Sequence, residues 1–426
     1  MAQKCTYCIT SLFMLTLLLC TAPAFAAEHE VGPAYTPEEL AKVREWEKTW
    51  AGKRIDKNNI DQVADMLPQG FVDIYKNPQK WGAPEGEDFY AVIAPYKRCM
   101  ETDGVRAATK KYSPLVKKNP DGSLANYADI AGVPFPSPKD GLEVMWNFDC
   151  NSHGDTNKYR RFSPNINPVS REDRLADQEQ KEFYFIHRTE LDPKPALPPE
   201  KNKKGIHRGI FLHMYLPPEF LNTRYYSLRY IEPKDDDTYM WYSQFRRIRR
   251  MSTKHRTDSI DGTDLIYDDE FFWDGHINRN TYKLVGTKEM LCARHQDMKQ
   301  LARQSGQAIP NNISYERSKV LVIEAYSKDP NYLYKKRVLY IDPETFLALW
   351  TDIYDELGRY WKCNINFTND IQTALGQTKN FIVGTSFQDI QRTHSGFNNQ
   401  EYYYTPKVSI QLNPNMFTVA ELQKTY

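Results

Sequence analysis

Between residues 320 and 367 the chain alternates four strand-like runs with turns too short to hold anything else. No other feature restricts the fold so much. Residues 320–326 are apolar and β-branched, and Asp329-Pro330-Asn331 turns the chain. Residues 333–340 form a second run, ended by Asp342-Pro343. Residues 346–354 form a third, ended by a turn at 355–358, and residues 359–367 form the fourth. Strands joined this closely lie antiparallel, because a parallel crossover takes about a dozen residues or more. The expected unit is a four-strand meander. In its last strand Trp361, Cys363, Ile365 and Phe367 share one face, and Tyr360, Lys362, Asn364 and Asn366 the other. The third strand is apolar on both faces, with Phe346, Ala348 and Trp350 on one side and Leu347, Leu349 and Ile353 on the other. That part of the sheet is expected to be covered on both sides.

Composition agrees with a β-rich chain. Among 426 residues there are 28 Tyr, 20 Phe and 8 Trp, and aromatics suit a pleated surface. The 26 Pro and 20 Gly supply turns and irregular connections. The length allows two or three domains, or one large β-rich domain. Helix signals concentrate near the start. Thr36-Pro37-Glu38-Glu39 combines an N-cap, a first-position proline and a third-position Glu, with Leu40, Val43 and Trp46 following at helical spacing. A second helical stretch is expected from Asn59 through Ile60, Val63, Met66 and Leu67, broken by Pro68. Beyond about residue 100 the pattern is mostly short strands and turns. The expected organisation is a signal peptide at 1–26, a mostly helical segment at 27–100, and a β-rich domain at 101–426.

The signal peptide rests on Lys4, a short apolar stretch ending at Cys20, and Ala24-Phe25-Ala26, which places small residues where a signal peptidase cuts. The apolar stretch is shorter than the roughly 20 residues that span a bilayer, and no later run approaches that length. The expected location is the periplasm, with association to the outer membrane allowed. Cleavage removes Cys5, Cys8 and Cys20 and leaves Cys99, Cys150, Cys292 and Cys363. In an oxidising compartment these either form two disulfides, in one of three pairings, or remain buried thiols, and the sequence leaves both open.

Lys plus Arg number 56 and Asp plus Glu 55, a balance that argues against a general nucleic-acid binder. The strongest basic feature is Arg246-Arg247-Ile248-Arg249-Arg250, after the strand-like Met240-Trp241-Tyr242. Its guanidinium groups are candidates to contact an anionic headgroup or a partner protein, since Arg presents a planar fork of donors. The alternative is pairing with Asp258, Asp261, Asp264, Asp268 and Asp269. Trp146, Trp241, Phe272 and Trp273 are candidates to line a ligand cavity, with plain core as the alternative. Zincin, serine-elbow, Walker and dinucleotide motifs do not occur. His207 and His213, six apart on a strand-like segment, share a side and make at most half a metal site. No catalytic residue, metal or cofactor is expected, and the chain is not read as an enzyme.

Four blocks, in order, resemble those of an exported bacterial family of unassigned function, often described as outer-membrane lipoprotein-sorting proteins. GVPFPSPKDGLEVMWN at 132–147 is similar to the family's GvPFPxPxxGlEamWN. Residues 246–250 are similar to its RRVRR, and residues 282–290 to its YxxKLVGKKEM. Residues 337–361, with Tyr340-Ile341-Asp342 and Asp352-Ile353-Tyr354-Asp355, resemble its RRxYYIDxxxxxxxxxDxYDxxGxLW. Phe272-Trp273-Asp274-Gly275 stands where the family usually ends an acidic turn with MFNG. The resemblance implies a mainly β fold with flanking helices, a large curved antiparallel sheet or half-barrel like that of the Lol lipoprotein carriers. It implies a lipid or other hydrophobic small molecule as ligand, and a resistance-nodulation-division (RND) exporter and an outer-membrane protein as partners. The expected function is a periplasmic carrier or accessory protein in envelope transport. The alternatives are a non-catalytic structural adaptor in an envelope complex and, third, a hydrolase of an envelope lipid.

Overall fold

The structure, a computed structural model, describes residues 29–151, 154–252, 256–260, 262–373, 375–402 and 412–424. The expected signal peptide lies outside the described residues. In chain order the regular elements are α1 (Pro37–Trp50), β1 (Arg54–Ile55), α2 (Gln69–Lys76), β2 (Ala91–Ala94), α3 (Asp103–Tyr112) and α4 (Gly141–Cys150). Then follow β3 (Thr156–Asn167), β4 (Glu172–Tyr184), β5 (Ile206–Leu216), β6 (Arg224–Tyr230), β7 (Asp237–Tyr242) and β8 (Arg247–Met251). The rest are β9 (Asn280–Cys292), β10 (Ile313–Ser327), β11 (Tyr334–Ile341), β12 (Ala348–Asp355), β13 (Tyr360–Gln372), β14 (Thr378–Asp389) and β15 (His394–Tyr402).

All fifteen strands join one open, curved sheet in the order β1-β2-β10-β11-β12-β13-β14-β15-β3-β4-β5-β6-β7-β8, with β9 also on β10. The fold is mainly β with flanking helices, as expected. Pairing is antiparallel except where β2 runs parallel to β10. The meander is present, and one ladder crosses it through Val322↔Tyr340, Tyr340↔Trp350 and Trp350↔Ile365.

The meander is covered on both faces. Val338 and Tyr340 face one core, and Leu339 and Ile341 the other. The first core takes Phe71, Ile74 and Tyr75 from α2; the second takes Ala108 and Tyr112 from α3 and Val144 to Trp146 from α4. Trp350 is fully buried, with the Phe71 ring edge-on at 4.6 Å and its Nε1 donating to the Leu291 carbonyl at 2.9 Å. Burying a large apolar side chain contributes roughly 1.5–3 kcal/mol. The alternation expected in the third strand fails at one place. Tyr340 opposes Trp350 but Ile341 opposes Ala348, so Leu349 is an extra residue in the ladder. Leu349 and Trp350 therefore enter the first core, and Phe346, Leu347 and Ala348 the second.

The helices also depart from the sequence reading. Residues 60–66 form two short 3-10 turns, and Pro68 caps α2 instead of ending a helix. A proline tolerates a helix start because its missing N–H would be unpaired there anyway. Beyond residue 100, where the sequence pattern predicts mostly short strands and turns, the chain also forms α3 and α4. The 132–147 block explains itself around α4. Asp140 accepts the Glu143 N–H at 2.8 Å as N-cap, and Asn147 both accepts from Phe135 N–H and donates to its carbonyl, at 2.8 and 2.6 Å. A Cβ on Gly141 would lie 2.9 Å from the backbone of Tyr282 and Leu284, so glycine lets α4 lie directly on β9. Thr36 completes the expected capping box of α1.

A third core joins the C-terminal segment to β4–β7. Leu412, Phe417 and Leu422 pack on Phe183, Phe211, Tyr226 and Leu228. Alternation then turns Ile210, Leu212, Tyr225 and Ser227 to the opposite face.

Candidate ligand cleft

That opposite face is roofed by irregular chain, residues 256–260 and 262–274, instead of a helix. Between the two lies a cleft of about 790 Å³, open mouth included. Its wall is graded. Leu212, Met214, Tyr225 and Met240 lie near the hairpin ends of β5–β6 and β7–β8, and Arg208, Arg229 and Asp236 lie at the far end. The roof adds Ile260 and Tyr267 at the cleft, and Arg256, Glu270 and Asp274 with the charges.

The charged end is a closed network. Arg208 meets Asp274 at 2.6 Å, and Arg229 meets Asp236 at 3.2 Å and Asp274 at 3.3 Å. Arg256 meets Asp268 at 2.6 Å and Asp236 at 2.8 Å, and Arg161 pairs with Glu270. Burial alone would raise the Asp236 carboxyl, but Arg229, the His276 hydrogen bond and Arg256 hold it well below the usual carboxylate range. Asp274 is held down against burial by Arg208, Arg229 and Arg256. Burial lowers His276, yet its hydrogen bonds to Asp236 and Glu232 leave it above its ordinary value. Buried charges persist only when paired this fully, since removing one partner strands the other in low dielectric.

Beyond Arg229 a second cleft, about 1210 Å³ with its mouth, is lined by Leu124, Tyr127, Trp146, Asp149, His207 and His276 among others. Of the four aromatics expected at a cavity, Trp146 lines this cleft, with its Nε1 donating to the Gly122 carbonyl at 3.0 Å. Trp273 borders the narrow gap beside Arg208 and Asp274. Phe272 is buried in the second core, and Trp241 packs against the third core, on the C-terminal segment. Three of the four, Trp146, Phe272 and Trp273, belong to the second core, and Trp241 stands apart from them.

Arg247, Arg249 and Arg250 lie on β8, the free edge of the sheet, and Arg246 in the turn before it. All four are exposed. Arg250 pairs with Asp237 at 2.6 Å, and among the described residues none of the four pairs with Asp258, Asp264, Asp268 or Asp269, while Asp261 lies outside the described residues; Arg246, Arg247 and Arg249 have no ion pair among the described residues. Charges of this kind also protect an edge strand from pairing with another chain.

Cys99, Cys150, Cys292 and Cys363 are all buried and free, so the two-disulfide alternative is not realised. Burial pushes each thiol up.

Two groupings among the described residues could hold a metal ion: Cys99 with Asp342 and Glu344, and Asp149 with His187 and His207. Arg294 fills the first, hydrogen-bonded to Glu344 at 2.7 Å and to the Cys99 sulfur at 2.8 Å, with its Nε also in an ion pair with Asp342 at 3.2 Å. In the second, the Tyr127 hydroxyl bridges Asp149 and His207, and no side-chain cation among the described residues fills the group as Arg294 fills the first. Burial lowers His187 to about 4 and His207 well below its ordinary value, so both rings are neutral at pH 7. His207 and His213 do not share a site as the six-residue spacing allowed: His207 is buried and His213 is half-buried. The ladder shifts between Ile206 and Arg208, and His213 bonds Asn222 at 3.1 Å near the surface. The sequence reading missed Tyr127, Asp149, His187, Arg208, Arg229, Asp236 and Asp274. Only the arginines left a signal: Arg208 and Arg229 interrupt strongly apolar strands, where a charge has to find a buried partner.

No helix among the described residues is long and apolar enough to cross a membrane. A family model described as a protein of unknown function, DUF1329, matches residues 54–423. The uncharacterized protein PA3922 of Pseudomonas aeruginosa is 26% identical over 328 residues, covering 72% of this chain and 67% of that protein. A domain from Vibrio parahaemolyticus, provisionally designated an outer membrane lipoprotein-sorting protein, aligns at TM-score 0.48 and 15% identity, covering 67% of this chain and 98% of that one. The LolA superfamily protein NE2245 from Nitrosomonas europaea aligns at TM-score 0.41 and 11% identity, covering 67% of this chain and 100% of that one.

Proposed function

The chain belongs to the DUF1329 family, and we propose that it is a periplasmic carrier or accessory protein that holds a lipid or another hydrophobic molecule during envelope transport, alongside an RND-type exporter and an outer-membrane partner. The observation that carries this reading is the graded cleft. Its apolar wall of Ile210, Leu212, Met214, Tyr225 and Met240 and the roof enclose about 100 Å³ of interior space that opens into a wider mouth, and such an apolar wall with a few convergent polar groups is the usual make-up of a small-molecule site. Each methylene hidden there gains roughly 0.8 kcal/mol. The charged end has equal numbers of arginines and carboxylates among Arg161, Arg208, Arg229, Arg256, Asp236, Asp268, Glu270 and Asp274, so it suits a small polar end better than a strongly anionic one. The Arg208 Nε has no hydrogen-bond partner among the described residues and is a donor such a group would use.

The adaptor reading is favoured by a separate observation. Phe245 (70% exposed) and Leu221 (48%) stand at adjacent hairpin ends beside Arg246 and Arg247. A surface combining apolar tips with unpaired arginines suits an anionic headgroup or a partner protein.

A fluorescent fatty-acid probe tests the carrier reading. Met240→Trp narrows the cleft and should weaken probe binding at least about tenfold, equivalent to about 1.4 kcal/mol, while the unfolding midpoint hardly moves. Equal binding by the variant, or none by the native protein, would sink it. Replacing all four arginines at 246, 247, 249 and 250 by Gln should abolish partner capture while sparing probe binding.

A further inference from the structure

We propose that Asp149, His187 and His207 form a binding site for a divalent transition-metal ion of the zinc class. One donor atom from each lies within 4.8 Å of the others. The three arrive from different places: the last turn of α4, the segment after β4, and the irregular start of β5. Imidazole nitrogen and carboxylate oxygen are ordinary zinc ligands at about 2.0–2.2 Å, so closing the group on an ion asks only for small side-chain movements.

The surrounding hydrogen bonds prepare both rings. The His187 Nδ1 lies 2.9 Å from the Ile130 carbonyl oxygen, so it carries the proton and leaves the lone pair on Nε2. The His207 Nδ1 lies 3.2 Å from the Tyr127 hydroxyl, which donates its own proton to Asp149. The His207 Nδ1–H therefore donates to Tyr127, and its lone pair also falls on Nε2. That Nε2 is buried and has no hydrogen-bond partner among the described residues. A buried acceptor left this way is costly, and a metal ion would satisfy it. Metal-bound histidines commonly donate their second N–H to a carbonyl or, directly or through a bridge, to a carboxylate. His187 does the first, and His207 reaches Asp149 through Tyr127.

Two further features agree. His187 has φ 58, a left-handed conformation unusual for a non-glycine residue and kept where the surroundings dictate it. The Cys150 sulfur lies 3.8 Å from the His187 Nε2, placing a soft donor at the edge of the group. Asp149 and His207 line the larger cleft, which gives an ion a way in. The cations that face His207 are Arg208, Arg229 and His276. Asp274 neutralises Arg208, Asp236 and Asp274 neutralise Arg229, and Asp236 with Glu232 holds His276. They do not leave the site with uncompensated positive charge. The inference is independent of what the apolar cleft carries.

The mature chain, stripped with a chelator, should bind one Zn²⁺ by calorimetry, and Co²⁺ should give the visible spectrum of a low-coordinate site. Tyr127→Phe should weaken Zn²⁺ binding about 10–100-fold, the usual cost of losing a supporting hydrogen bond. His207→Gln should weaken it further, and substitution of an exposed residue with no assigned role, Lys201→Gln, should leave it unchanged. Because a buried histidine variant can fail to fold, the unaltered protein should also be crystallised with Zn²⁺, where an anomalous peak between His187 and His207 is expected. Absence of stoichiometric binding by the native chain, full affinity in a folded His207→Gln protein, or a peak elsewhere would overturn the assignment.

Discussion

Tyr340 and Arg229 both sit within strands of one sheet, in regions that are finished differently. Around Tyr340 the two faces are covered by apolar chain: α2 and the residues beside it on one side, α3 and α4 on the other. The covering elements bring side chains that interdigitate, and the region fills. Around Arg229 the C-terminal segment covers one face in the same manner, with Phe417 and Leu422. The other face receives residues 262–274, which bring Asp268, Glu270 and Asp274. Carboxylates there demand arginines beneath them, and planar ion pairs fixed at hydrogen-bond distance do not close-pack as aliphatic groups do. A cleft results. What a sheet can hold is decided less by its strands than by the chemistry of what covers it.

The largest expected effects break the two regions in turn. Trp350→Ala should cost about 3–5 kcal/mol through cavity formation, and Arg229→Ala a similar amount by stranding Asp236 and Asp274. Urea unfolding at two pH values separates the causes. The Arg229 cost should shrink as acid protonates the two carboxylates, and the Trp350 cost should not. Equal pH dependence would mean that the cleft region is not held by charge. Gly141→Val comes next, at about 1–3 kcal/mol, because its side chain would push into the backbone of β9. A neutral result would show that α4 does not seat as closely as the geometry says.

A smaller effect sharpens the comparison from the charged side. His276 is held above its ordinary value by Asp236 and Glu232. Its contribution is therefore fully present below about pH 6.5, the unfolded value, and is lost as pH rises through the raised folded value. His276→Gln should flatten that part of the stability profile, and an unchanged profile would remove the ion pair from the account. Smallest of all, Arg247→Gln and Arg249→Gln should each stay within about 0.5 kcal/mol in urea unfolding, as exposed substitutions do. A larger loss would mean that the free edge is not free.

The meander was legible because strand alternation and short turns are local signals, and the family blocks extended that reading to the whole sheet. The one local failure, at Leu349, follows from an extra residue that shifts the faces without changing the composition of the strand. Helix α4 was missed because its sequence is apolar nearly all round, which removes the periodic stripe by which a helix is recognised. The cleft was not legible, since its wall and roof come from segments far apart in sequence and its aromatics were chosen by type alone. The Asp149, His187 and His207 grouping had no spacing to betray it, because three separate elements converge there.

The central claim is that the cleft holds a hydrophobic molecule. Native mass spectrometry on protein purified without detergent tests it most directly, with dissociation and identification of whatever is released. The account predicts a lipid or other hydrophobic species at close to one per chain, lost in Met240→Trp. A clean chain mass that persists after exposure to envelope lipid extract would contradict it.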